Sequence, residues 1–267
     1  MFRHLMQSTS AYGLQTVAGA VIATTILAPQ PVFAQAGDNW RGTFSPMYFW
    51  ATELNGDLTA RGTTVPLFLD FADAADNLGG AFSFHFEAQK RRWGVFSDLN
   101  FIRLSSDATF TLPALDAVVE GDADLDNTMF EIGGSYLLSD AAQFAVIGGL
   151  RTYSLSPKLE FRTDVIEVEP IDASRTSVNG FVGFTYRPQL AEKWSFLSRA
   201  DIGGGGGFTW SGLLAFEFRP KPWAGLLFGY KALGIDVGSD SDDQALREYD
   251  VTHYGPLLGF NLHWGAR

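Results

Sequence analysis

Phe208-Thr-Trp-Ser-Gly-Leu-Leu-Ala-Phe-Glu-Phe218 separates into two interleaved rows. Phe208, Trp210, Gly212, Leu214, Phe216 and Phe218 make one row; Thr209, Ser211, Leu213, Ala215 and Glu217, with Arg219 beyond, make the other. The period is two and only one row is uniformly apolar, the pattern of a strand with hydrocarbon on one side and a polar space on the other. A sandwich strand can alternate in the same way. Here about nine further stretches repeat the pattern with aromatic ends, behind a segment that reads as an export leader. Together they predict an all-β chain, a transmembrane antiparallel up-and-down β-barrel of the outer-membrane kind.

The leader is residues 1–34 and the barrel residues 35–267. Arg3 and His4 supply a basic start, Val17–Ala28 a short apolar run, and Val32-Phe33-Ala34 small residues at the cleavage positions, with Ala34-Gln35-Ala36 as a second cut. The apolar run is broken by Thr24 and Thr25 and is too short for a spanning helix. Nothing later in the chain, 46% hydrophobic as a whole, is long enough for one either. The absence of Cys excludes disulfides and thiolate metal sites. A formal charge of −11, made slightly more negative by loss of Arg3, argues against nucleic acid as a partner.

Trp40–Leu54 begins the barrel, with Phe44, Pro46, Tyr48 and Trp50 on one row and Ser45, Met47, Phe49, Ala51 and Glu53 on the other. Asn55-Gly56 reads as the turn after it. Asp57–Asn77 is poorly patterned, and Leu67–Phe71 with the Ala-Asp-Ala-Ala-Asp that follows reads as a short extension and a helical turn, a candidate lid or plug. In the next strands Phe82, Phe84 and Phe86 face out and Ser83, His85, Glu87 and Gln89 face in; Asp98 and Asn100, then Glu131, then Arg151 and Tyr153 continue the inner rows. Later strands add Arg199 and Asp201, Lys231, and His253, Gly255, Asn261 and His263 inside, against Tyr254, Pro256, Leu258, Phe260, Leu262 and Trp264 outside. Connections after Lys90, Leu138, Arg187 and Arg219 are short and the intervening ones long, matching short periplasmic turns and long outer loops. With both termini on the periplasmic side the strand count is even. Ten is expected if Asp57–Asn77 adds no full strand, and twelve if it does.

Phe44-Ser-Pro-Met-Tyr-Phe-Trp-Ala, Trp93-Gly-Val-Phe-Ser-Asp-Leu, Gly148-Gly-Leu-Arg-Thr-Tyr, Lys193-Trp-Ser, Ala200-Asp-Ile-Gly-Gly, Phe228-Gly-Tyr-Lys-Ala-Leu and Tyr254-Gly-Pro-Leu-Leu-Gly-Phe resemble a widespread group of uncharacterised outer-membrane β-barrel proteins of Gram-negative bacteria. The resemblance runs along the whole mature chain. It implies location in the outer membrane after signal-peptide cleavage, and a barrel fold, with no activity attached. Outer-membrane lipids and lipopolysaccharide are then the expected surroundings, and periplasmic chaperones and the barrel-assembly machinery the expected partners during biogenesis. Many such barrels end on their aromatic residue, whereas Gly265-Ala266-Arg267 follow Trp264 here.

Gly203–Gly207 is not followed by Gly-Lys-Ser/Thr and has strands on both flanks, so a hairpin end outweighs a phosphate loop. The acidic stretches Asp116–Asp126 and Asp240–Asp243 read as solvated loops; the second lacks the Gly and distal Glu of a calcium loop, and neither a metal site nor a cofactor is expected. His85, His253 and His263 fall on inner rows, and His253, near acidic residues at the outer rim, is the one histidine weighed for catalysis. No motif accompanies it, and no catalytic residue is assigned. The candidate lumen-lining set is Glu53, His85, Glu87, Asp98, Glu131, Arg151, Arg187, Arg199, Asp201, Glu217, Lys231 and His253. A ten-strand interior is so narrow that these charges should meet across it. The expectation is a largely side-chain-filled barrel, structural or a narrow small-solute or ion channel, with an outer-membrane enzyme acting on lipid or peptide as the alternative.

Overall fold

A computed structural model describes residues 39–60, 63–69, 76–112, 117–138, 143–162, 171–172, 174–237 and 248–265. The leader, most of the helical turn expected after Phe71, the turn at Ser139–Ala142, most of the Thr163–Asp172 hairpin and the acidic run Asp240–Asp243 lie outside them.

The strands are β1 Arg41–Trp50, β2 Glu53–Ala60, β3 Thr63–Leu69, β4 Leu78–Lys90, β5 Trp93–Leu112, β6 Ala117–Leu137, β7 Phe144–Arg162, β8 Ile171–Asp172, β9 Arg175–Tyr186, β10 Gln189–Ala191, β11 Trp194–Gly205, β12 Phe208–Lys221, β13 Ala224–Val237 and β14 Glu248–Trp264. Ten of them, in the order β1-β4-β5-β6-β7-β9-β11-β12-β13-β14, form one antiparallel ring closed by β1 against β14. Two further strands, β2 and β3, make a hairpin that continues along the far half of β14. Closure removes every free edge from a ring strand that is paired along its length, the reason a barrel can stand where water cannot satisfy backbone groups.

The alternation that predicted the fold is visible in exposure. Along β12, Phe208, Trp210, Leu214 and Phe216 are 53, 40, 58 and 41% exposed, while Thr209, Ser211, Leu213, Ala215 and Glu217 are all buried. The outside of the other strands is likewise apolar, with Val95, Ile132, Leu150, Val182, Ile202, Leu226 and Leu258 exposed. At the end carrying the short turns, aromatic rings gather: Trp93 against Tyr136, Phe144 against Tyr186, Trp194 against Phe218 and Phe86 against Trp264. β11 and β12 meet at Gly206-Gly207, the hairpin end expected there.

Three expectations are corrected. First, β1 does not alternate without interruption. Pro46 has no N–H to give the ladder, the pairing with β14 shifts register between Phe44 and Met47, and the phase flips. Ser45, Tyr48 and Trp50 therefore point in, while Phe44, Met47 and Phe49 point out. The ladder between β1 and β4 also ends at this point, after the pair Ser45–His85. Second, Asn55-Gly56 is no turn but the middle of β2. A Cβ at Gly56 would lie 2.0 Å from the Asp250 carbonyl oxygen, so the glycine serves close approach to β14. Neither a lid nor a plug is formed by β2 and β3, which extend the sheet. Third, Asp116–Asp126 is not a loop along its length. β5 and β6 stay paired from Trp93–Tyr136 out to Leu112–Ala117, carrying Asp124 and Asp126 on a strand, where Arg103 grips Asp126 through Nε–Oδ1 and Nη2–Oδ2 at 2.6 and 2.7 Å.

Candidate functional site

The interior begins from one rung of cross-strand neighbours. Ser45 on β1 lies beside His85 on β4, then Asp98 on β5, Glu131 on β6, Arg151 on β7 and Asn179 on β9. All share the inner face because successive partners in a ladder point to the same side. β11 supplies Arg199 and Asp201, two residues apart and hence on the same face.

These side chains are bonded into one layer. Arg151, with no exposed surface, donates from Nε to Glu131 Oε1 (2.8 Å), from Nη2 to Asp201 Oδ1 (2.7 Å) and from Nη1 to Thr209 Oγ1 (3.3 Å). Arg199 donates from Nη2 to Glu131 Oε2 (2.8 Å) and from Nε to Asp201 Oδ2 (2.9 Å), and lies 3.7 Å from Asp98. Each carboxylate of the Glu131 and Asp201 pair thus has both oxygens occupied by guanidinium N–H groups. Their planar forks suit this double bridging, which an ammonium group does not reproduce. Phe181 and Phe96 pack against the guanidinium faces: Arg151 sits 4.9 Å from the Phe181 centroid, and Arg199 5.3 Å from Phe181 and 5.2 Å from Phe96. His85 Nδ1 meets Asp98 Oδ1 at 2.7 Å while its ring stacks on Tyr48, and Arg187 holds Glu87 through two bonds of 2.8 and 3.2 Å.

A second polar cluster fills the short-turn end. Glu217 accepts from Asn261 Nδ2 (2.5 Å), Arg219 Nε (2.9 Å) and Ser195 Oγ (3.3 Å) and meets His263 Nε2 at 2.7 Å; His263 Nδ1 reaches Thr43 Oγ1 at 3.0 Å, and Ser45 donates to Asn261 Oδ1. Facing the ionic layer, the β12–β14 wall is apolar. Leu213, Ala215, Leu227, Leu233, Ile235, Val251 and Leu257 pack with Tyr48, Trp50, Met129, Tyr153 and Leu155 in one buried cluster. Lys231 stands within this wall, its Nζ 4.7 Å from the Trp50 ring centroid. His253 is buried above it, 3.1 Å from the Tyr153 hydroxyl and beside Trp50.

Eleven of the twelve candidate lumen residues stand on the inner face, and Glu53 does not. Glu53 pairs with Tyr254, which belongs to the outer row. The flip at Pro46 moves every later β1 residue to the opposite side, and Glu53 inherits it. Sequence reasoning passed over Thr209, Asn261, Arg219, Phe96 and Phe181 as partners of the charges. Parity places Phe96 with Asp98 and Phe181 with Asn179, but only the folded barrel brings both rings under one guanidinium group, that of Arg199. Among the described residues no group of three His, Cys, Asp or Glu side chains is placed to hold a metal ion.

No protein-family model and no curated protein matches the chain. Solved structures do. The translocator domain of the autotransporter NalP from Neisseria meningitidis matches at 11% identity and a TM-score of 0.49, over 85% of this chain and 89% of that one. Ail, the attachment invasion locus protein of Yersinia pestis, in its complex with the heparin analogue sucrose octasulfate, matches at 11% identity and 0.36, over 84 and 98%. The outer membrane protein OprG from Pseudomonas aeruginosa matches at 11% identity and 0.33, over 87 and 99%. These structural neighbours are Gram-negative outer-membrane β-barrel proteins.

Proposed function

We propose that this chain is an integral outer-membrane barrel whose lumen is closed by its own side chains, so that it serves as a structural element or, at most, as a narrow pathway for ions. The observation that carries the reading is Arg151, fully buried and bonded to Glu131, Asp201 and Thr209 at the centre of the interior. A water-filled porin lines its wall with solvated charges; here the Arg151 and Arg199 guanidinium groups are held between Glu131 and Asp201, and the opposite wall is mostly hydrocarbon, with Lys231 set into it. The exposed apolar rows and the aromatic ring at the short-turn end support insertion in a bilayer, with outer-membrane lipids and lipopolysaccharide around the barrel and the assembly machinery and chaperones as transient partners. We infer no catalytic role: His253 is enclosed among Trp50, Tyr153 and Leu233 in the apolar half of the interior.

Planar-bilayer recording tests this. The purified wild-type barrel is expected to be electrically quiet, while Arg199→Ala, which takes a guanidinium from between Asp98, Glu131 and Asp201, is expected to show discrete, cation-preferring openings. Wild-type openings of open-porin size would overturn the reading.

A further inference from the structure

The short-turn end repeats one pairing, a cation beside a tryptophan. Trp40-Arg41 opens β1, Arg91-Arg92-Trp93 turns β4 into β5, Lys193-Trp194 starts β11, and Lys221-Pro222-Trp223 joins β12 to β13. With Trp264 at the end of β14, five of the seven tryptophans stand at this one end, all of them exposed. Arg41, Arg91, Lys193 and Lys221 are exposed with them. Neighbouring connections are tied at a common level, the carbonyls of Arg92, Lys193 and Trp223 accepting from the N–H groups of Leu137, Arg219 and His263 at 2.8 Å each. Glu192 is the one carboxylate in the described residues of these connections; Glu87 and Glu217, the nearest on the strands, point into the lumen and are bonded there. At the opposite end Asp236 lies across from Asp250 on β13 and β14, both exposed. A chain of net charge −11 thus carries a basic, indole-rich rim at one end only.

We propose that this rim binds the headgroups of anionic phospholipids in the leaflet that surrounds the short turns, a reading that rests on the barrel's insertion in a bilayer. Indoles settle at the boundary between headgroup and acyl chain, which fixes the depth of the cations beside them. At that depth the exposed guanidinium and ammonium groups, donors only, meet the phosphate oxygens, acceptors only. A headgroup of net negative charge is favoured over a zwitterionic one, whose own ammonium opposes the cations of the rim. The field of the chain as a whole, being acidic, repels the same headgroups, so the attraction belongs to this rim and not to net charge.

Spin-labelled lipids test this. The full barrel is reconstituted at low salt in phosphatidylcholine vesicles with a trace of phosphatidylglycerol or phosphatidylcholine bearing a nitroxide on its acyl chain, and the EPR spectrum gives the fraction held at the protein surface. A surface cation favours an anionic headgroup about fivefold, so that, averaged over all lipids touching the barrel, the phosphatidylglycerol probe is expected to associate about twofold more strongly. The preference should vanish in about 1 M salt. Arg91→Gln/Lys193→Gln/Lys221→Gln should bring the ratio to about one, whereas Arg103→Gln, which takes a cation from the opposite rim, should leave it unchanged. Equal association of the two probes with the wild type, a preference that survives the triple substitution, or one lost equally in Arg103→Gln overturns the proposal. If the triple variant does not fold, the wild-type ratio and its salt dependence decide alone. Held lipid of neither kind would remove the bilayer placement itself, and the proposal with it.

Discussion

Arg151→Met is expected to destabilise the barrel by about 3–5 kcal/mol, because it removes one member of a buried ionic set and leaves the others without water to replace it. Asp201 would lose its Oδ1 partner and Glu131 its Oε1 partner, and Arg199 would be the one guanidinium left to both, with Asp98 shared between it and His85. Urea titration of the refolded barrel in lipid vesicles, followed by the gel shift between folded and boiled protein, measures the loss. Adding Glu131→Gln to Arg151→Met should recover part of it, since one uncompensated carboxylate goes with the guanidinium. Arg151→Lys should fall in between, keeping the charge and losing the fork that bridges two acids. A cost below about 1 kcal/mol for Arg151→Met, the range of exposed pairs, would mean that this layer is solvated.

The second large effect concerns the outside. Leu214→Arg, midway along β12 and 58% exposed, is expected to cost about 2–4 kcal/mol by placing a cation in hydrocarbon. Leu226→Arg, two residues into β13 and next to the Pro222-Trp223 turn, should cost about 0–1 kcal/mol because it sits near the interface. Ala215→Arg fails for a different reason: its side chain has no exposed surface and abuts the packed wall of Leu213, Leu227 and Leu257. The same urea titration separates Leu214 from Leu226. Equal costs at the two would contradict the depth assigned to them.

β12, β13 and β14 were legible because their two rows differ in chemistry: aromatic and aliphatic outside, and Thr209, Glu217, Lys231 or His253 inside. β1 was not, because Tyr48 and Trp50 on one row and Met47 and Phe49 on the other are equally apolar, so nothing in the composition reports the flip at Pro46. The misplacement of Glu53 follows from that single residue. Asn55-Gly56 carries the local signal of a turn, and pairing with β14 overrides it. The acidic run before Leu125 reads as a loop by polarity alone; twenty rungs between β5 and β6 hold it extended. The ionic layer was legible as a set of inner charges. Its partition, with charges on the β4–β11 side and Leu213, Leu233, Val251 and Leu257 facing them, depends on how the ring closes and has no local signature.

The central claim is that one row of each strand meets lipid while the other is sealed inside. A nitroxide scan tests it most directly, with single cysteines placed in turn from 208 to 218 in a chain that has none of its own. In lipid vesicles, labels at Phe208, Trp210, Gly212, Leu214, Phe216 and Phe218 should be relaxed by oxygen, and those at Thr209, Ser211, Leu213 and Glu217 should be shielded both from oxygen and from a water-soluble nickel chelate, Ala215 being left out because a large side chain has no room there. Loss of the period of two would contradict the barrel's placement in the membrane, and strong relaxation by the nickel chelate at the inner positions would contradict the closed lumen.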